Sequence, residues 1–298
     1  MRKIFLSMVA IASISELAVA QTSPSAAVEE LLAADRSFAA ASAKTDLISG
    51  ISAMFADNVV MPIPRNGFAE GKMRAIEVLK TNPDNAKSKA TWAPVRGGIS
   101  ADGQHGFTYG YMTTEIPGKP AAPGKYLAYW VKGPSGWRVA VYKRAPRPEG
   151  VVATEMRPPS LPTAMVKPST DASAIAGFSK SVDSVERAFS DEAQAKGIGP
   201  AFFRNGAPDA MNMGGEASFS FGPEAISKGV QEGGPPTGSP VSWAPDKVIV
   251  ASSGDLGVTI GNIWPNDPPP AGQTSSRYPF FTIWKRASVN SPWRYVAE

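Results

Sequence analysis

The sequence predicts an α+β fold made twice, with helices on one face of an antiparallel sheet in each of two tandem domains. Three observations predict it. First, Thr91-Trp92-Ala93-Pro94 returns as Ser242-Trp243-Ala244-Pro245. Gly103, Thr108 and Gly110 return at the same spacing as Gly254, Thr259 and Gly261, and Asp35-Arg36-Ser37-Phe38 returns as Glu186-Arg187-Ala188-Phe189. The period is about 150 residues, the size of a domain and not of a solenoid unit. Second, in each copy the apolar spacing starts helical and then becomes that of strands. Third, a proline-rich stretch separates the copies.

In the first copy, Ser23 to Ser25 offers helix caps. Val28, Leu31, Leu32, Asp35 and Phe38 follow at helical spacing, with Glu29 and Glu30 in the first turn. Asp46 caps a short second helix with Leu47, Ile51, Met54 and Phe55 on its apolar face. Ala75, Ile76 and Leu79 mark a third helix after Gly71. Strands are predicted over 90–99, 105–115, 125–132 and 137–144, with breaks carrying Gly and Pro. Pro146, Pro148, Pro158, Pro159, Pro162 and Pro168 predict a stiff linker over 146–170. Asp171 then caps a long helix with Ile175, Phe178, Val182, Val185 and Phe189. Ala201 to Phe203 falls in a second helix and Ile226 in a third. Strands follow near 241–251, 256–264, 278–286 and 293–298. The expected division is a leader at 1–20, domains at 21–145 and 171–298, and the linker between them.

The leader reads as a secretory signal. Arg2 and Lys3 precede a short apolar run from Ile4 to Ile14, and Ala18-Val19-Ala20 fits a small-residue cleavage site. The run is too short to span a membrane. A periplasmic or secreted location follows as an expectation. The chain has no cysteine, which excludes disulfides, thiol catalysis and thiolate metal sites. With one histidine besides, a transition-metal site has too few ligands, and neither a metal nor a cofactor is expected. The net charge of +4 is scattered, with no basic run interleaved with aromatics, so no nucleic-acid partner is expected.

Several local signatures carry a family resemblance. Helix 2 ends in Met54-Phe55-Ala56-Asp57-Asn58-Val59-Val60, and Gly71 opens the third helix. A closing hairpin runs from Tyr129-Trp130-Val131-Lys132 to Gly136-Trp137-Arg138-Val139. The second copy keeps Gly222, Thr282-Ile283-Trp284-Lys285 and Pro292-Trp293-Arg294. The pattern resembles the nuclear transport factor 2-like fold, in its SnoaL-like and ketosteroid-isomerase-like flavour. The resemblance implies two cone-shaped domains, each with a strongly curved sheet around an apolar pocket suited to a small hydrophobic or aromatic molecule. It also implies that the domains can pair through their sheets, here within one chain.

The ketosteroid-isomerase roles do not carry over. The base position falls near Ile63 and Gly214, the tyrosine position at Phe38 and Phe189, and the aspartic-acid position near Lys125 and Arg277. No catalytic residue is therefore assigned. The candidate ligand-binding residues are Arg36, Phe38, Trp92, Tyr109, Tyr111 and Tyr129 in the first copy, with Arg187, Phe189 and Trp243 in the second. Arg36 and Arg187 are the repeated charges of the first helix, able at a pocket floor to grip a carboxylate or enolate. A helix-surface ion pair is their other reading. His105, Tyr109 and Tyr111 belong to the first copy alone. They point to a binding module there, or to a SnoaL-like isomerase, lyase or hydrolase with a non-standard site. A structural pseudo-dimer is the third expectation.

Overall fold

The computed structural model describes residues 22–64, 67–269, 272 and 276–298. The expected leader lies outside the described residues. Among these, no helix is long and apolar enough to cross a membrane.

The first half runs α1 (Pro24–Ser42), α2 (Leu47–Ala53), β1 (Phe55–Pro62), β2 (Phe68–Glu70), α3 (Lys72–Lys80), β3 (Lys89–Ile99), β4 (His105–Glu115), β5 (Ala122–Gly133) and β6 (Gly136–Pro146). The second half repeats the order. It runs α4 (Ala172–Lys196), α5 (Ile198–Asn205), β7 (Gly206–Asn212), β8 (Ser220–Phe221), α6 (Pro223–Gln231), β9 (Val241–Val250), β10 (Leu256–Pro265), β11 (Tyr278–Lys285) and β12 (Arg294–Ala297). Ser23, Asp46 and Asp171 cap α1, α2 and α4 by accepting backbone N–H groups of the first turn.

Each half holds a six-stranded sheet, ordered β2-β1-β6-β5-β4-β3 and β8-β7-β12-β11-β10-β9. Two expectations change here. The segment read as the end of helix 2 is a strand, because Val59, Val60 and Met61 pack into the sheet core once the helix stops at Ala53. The sheets are mixed and not purely antiparallel, since β1 pairs with β6 and β7 with β12 in parallel.

The repeated Trp-Ala-Pro and its distant glycine now have a physical reason. A bulge follows Pro94 in β3 and Pro245 in β9, where the register with the next strand shifts. The bulge presses the backbone onto the facing strand. A Cβ on Gly110 would stand 2.0 Å from the Ala93 carbonyl oxygen, and one on Gly261 2.0 Å from that of Ala244. Only glycine fits, and the bulge bends both sheets at the same place.

Side chains alternate across each sheet. In β4, Met112 joins the core beneath α1, whereas Phe107, Tyr109 and Tyr111 join a core shared with the second half. The linker does more than space the halves. Arg157 N–H donates to the Val95 carbonyl and Ser160 N–H to that of Gly97, while Ile99 N–H donates to the Ser160 carbonyl. The segment thus lies along the free edge of β3 and covers it.

Candidate functional site

Each half buries one carboxylic acid on its first helix, under the concave side of its sheet. Asp35 and Glu186 are both fully enclosed. Asp35 shares a stripe with Val28, Leu31 and Leu32, all buried on α1. Glu186 shares one with Val182, Phe189 and Ala193 on α4. A residue one position further along a helix points about 100° away. That rotation sends Arg36 and Arg187 outward.

The acids are gripped by the repeated aromatics. Trp92 Nε1 donates to Asp35 Oδ1 at 2.6 Å, and Tyr126 OH donates to Oδ2 at 2.7 Å. Trp130 Nε1 donates to Thr108 Oγ1 at 2.9 Å. In the second half, Trp243 Nε1 donates to Glu186 Oε1 at 2.7 Å and Trp284 Nε1 to Oε2 at 2.8 Å. The Thr259 hydroxyl also donates to Oε2. Burial pushes both carboxyl groups above their ordinary values, while the hydrogen bonds from these donors pull the other way.

The two clusters solve one problem with compensating changes. Tyr126 has its counterpart in Phe280, which carries no hydroxyl. The acid there is one methylene longer and reaches the Trp284 indole itself. In the first half the shorter Asp35 takes the Tyr126 hydroxyl, and the Trp130 indole is satisfied by Thr108. Rings close the space around each acid. Phe189 lies 4.8 Å from Phe202 and 4.9 Å from Trp243, centroid to centroid, and stacks on Tyr295 at 5.8 Å. Phe38 stacks on Trp130 at 6.0 Å, and Trp92 meets Tyr126 edge-on at 6.5 Å.

The predicted ligand residues therefore divide. Phe38 and Trp92 gather around Asp35, and Phe189 and Trp243 around Glu186. Arg36 and Arg187 do not reach a pocket floor. Arg36 is exposed and paired with Glu29. Arg187 is half exposed, bound to Asp183 at 2.8 Å and to the Pro245 carbonyl at 2.9 Å. The three tyrosines point to the opposite face of the sheet. Tyr109 and Tyr111 pack on Phe219 of the second half, at 5.3 and 4.8 Å. Tyr129 OH lies 3.0 Å from His105 Nδ1. The repeat pointed to the acids, since Asp35 and Glu186 occupy an apolar helical stripe in both copies. Arg36 and Arg187 repeat as well, one position off that stripe.

The seam between the halves is built from reciprocal contacts. Asp102, in the β3–β4 turn, accepts Ser252 Oγ at 2.7 Å and Ser253 N–H at 3.2 Å from the β9–β10 turn. Asp255 of that turn accepts Ala101 N–H of the first at 2.9 Å. Gly103 and Gly254 permit these matching turns with φ of 66° and 68°. Arg96 pairs with Asp209. Lys125 is fully buried, and its ammonium group donates to carbonyls of the 213–218 loop, including Glu216 at 2.6 Å and Ser218 at 3.1 Å.

A shallow depression of about 380 Å³ lies beside Trp92, lined also by Ala39, Ala40, Pro94, Arg36 and Met156. Among the described residues, no three His, Asp or Glu groups gather as a metal site requires.

No protein-family model and no curated protein matches the chain. Solved structures resemble its halves. A ketosteroid isomerase-like protein from Erwinia carotovora is 18% identical, with 41% of this chain and 97% of that one covered, at a TM-score of 0.34. A nuclear transport factor 2-like superfamily protein from Salmonella enterica is 17% identical over 42% and 94%, at 0.33. One from Novosphingobium aromaticivorans with a cystatin-like fold is 12% identical over 40% and 80%, at 0.32. Each half is a three-helix unit on a six-stranded mixed sheet, and the chain carries two such units in tandem.

Proposed function

We propose that the chain is an exported binding module for a small apolar or aromatic molecule, carried on an internally paired scaffold. Trp92 carries the reading. Its indole N–H is fixed on Asp35, and its ring walls the depression beside Ala39, Pro94 and Met156. A rigid aromatic wall costs little ordering on binding and offers a stacking surface. Titration with a panel of aromatic and steroid-like molecules should give a saturable tryptophan fluorescence change that Trp92→Phe removes. A flat titration across the panel overturns the reading.

The scaffold reading is supported by the Lys125 ammonium seated in the carbonyls of the other half and by the exchanged turns. Pairing within one chain leaves the outer sheet faces covered, so the protein should be monomeric by light scattering. A stable dimer overturns it. Export rests on the leader alone. Mass spectrometry of the mature N-terminus should find it near Gln21, with the domains dividing at 21–145 and 171–298. An isomerase, lyase or hydrolase is the alternative reading, with Tyr109 and Tyr111 packed on Phe219, His105 beside Tyr129, and Arg36 facing outward on Glu29.

A further inference from the structure

A second cavity, of about 700 Å³, lies where the linker crosses the second half. It is separate from both acid clusters and from the depression beside Trp92. Its volume falls within the range of small-molecule sites, roughly 300–1,000 Å³. Leu161 and Pro162 of the linker give an apolar wall, and Ala207 and Val296 give an apolar floor. Lys285 and Arg294 line the same space.

The charges there are unevenly satisfied. Arg294 is half-buried, and its guanidinium donates to no acceptor among the described residues. Its counterpart in the repeat, Arg138, is occupied: it donates to the Trp137 carbonyl and lies over the Phe38 ring. Lys285 Nζ donates to Ser160 Oγ at 2.9 Å and to the Leu161 carbonyl at 2.7 Å, which fixes it at the wall. An ammonium group has three donors, so one remains. Burial pushes this amine down to about 8, with Asp255 and Asp209 pulling it back up and Arg96 opposing them. Both acids are already engaged. Asp209 pairs with Arg96, and Asp255 accepts from Ala101 and Ser253. Arg286, also on the rim, is spent on the carbonyls of Gly254 and Val289. What remains is an unpaired guanidinium and a spare ammonium donor beside apolar surface.

We propose that this cavity binds an amphipathic carboxylate, its head against Arg294 and Lys285 and its tail along Leu161, Pro162 and Val296. The guanidinium fork matches a carboxylate in two parallel hydrogen bonds, and the partly desolvated setting strengthens them. The site stands independently of the Trp92 reading, and either can fail alone.

Calorimetric titration of the full chain with decanoate, and with decanol as its uncharged match, tests it. Decanoate should bind saturably and more tightly than decanol. Arg294→Gln should weaken decanoate roughly tenfold, the loss of one charge-assisted hydrogen bond. Decanol should not respond to Arg294→Gln, and Lys285→Gln should weaken decanoate in the same direction. Because Arg294 has no partner to lose, the melting temperature of Arg294→Gln should match the parent. Absent saturation, equal affinity for decanol, or decanoate binding unchanged in Arg294→Gln overturns the proposal. Loss of decanoate binding in Trp92→Phe with none in Arg294→Gln would move the ligand to the first cone and also overturn it.

Discussion

The two halves share a plan and differ in how each holds its buried acid. Around Glu186, two indoles and a threonine hydroxyl converge on one carboxyl group. Around Asp35, one indole and one tyrosine hydroxyl do so, while the second indole is relayed through Thr108. The difference shows that the acid's reach and the neighbouring ring covary. Shortening the acid is matched by a hydroxyl on Tyr126, and losing that hydroxyl at Phe280 is matched by a longer acid. What is kept is the satisfaction of the donors gathered around each acid, not a particular residue.

The largest effect should come from the chain's end. β12 lies between β7 and β11 in its sheet, so removing Tyr295 to Glu298 severs the sheet's middle. The second half should lose its cooperative melting, and an unchanged melting temperature would refute this. Next, Gly110→Ala and Gly261→Ala force a methyl group into a backbone carbonyl, each costing about 3 kcal/mol or more by chemical denaturation. Equal costs at both sites would sharpen the comparison, because the bulge is the same in both halves.

Glu186→Ala strands the Trp243 indole, leaves Trp284 only its Thr259 acceptor, and should cost about 3–4 kcal/mol, whereas Glu186→Gln should cost less than half of that. The pH dependence follows from the raised carboxyl. A group whose pKa is higher in the folded protein binds more protons there, so its stabilisation is complete at acid pH. That stabilisation is lost as pH rises from the ordinary carboxyl range through the raised value. The stability difference between the parent and Glu186→Gln should therefore shift in favour of the variant as pH rises through that window. A difference independent of pH would contradict the burial argument.

A smaller effect tests the covariation itself. Asp35→Glu and Tyr126→Phe should each destabilise the first half, and the double variant, which copies the second half, should be better than their sum by about 1 kcal/mol. Strict additivity would break the comparison. Smallest of all, Arg36→Ala should change stability by less than about 0.5 kcal/mol, since its ion pair with Glu29 is exposed.

Much of the fold was legible because helical and alternating spacing are local. Caps at Ser23, Asp46 and Asp171, and the strands that carry Trp92 and Trp243, are legible from neighbours alone. The strand from Phe55 was missed because helix 2 hands over to it without a break, and its parallel pairing with β6 is a contact between distant segments. The site was legible only in part. Alternation separated Tyr126 from Tyr129 and paired Tyr109 with Tyr111, but which face looks into the cone is set by where α1 docks. The turn exchange between Asp102 and Asp255 and the Lys125 socket have no local signature, since each partner is satisfied by the other half.

The two halves share one core along their seam and should fold as one unit. Scanning calorimetry of the chain is the most direct test. A single two-state transition, lowered as a whole by Lys125→Met, is the predicted result. Two separate transitions, with only one or neither moved by Lys125→Met, would contradict it.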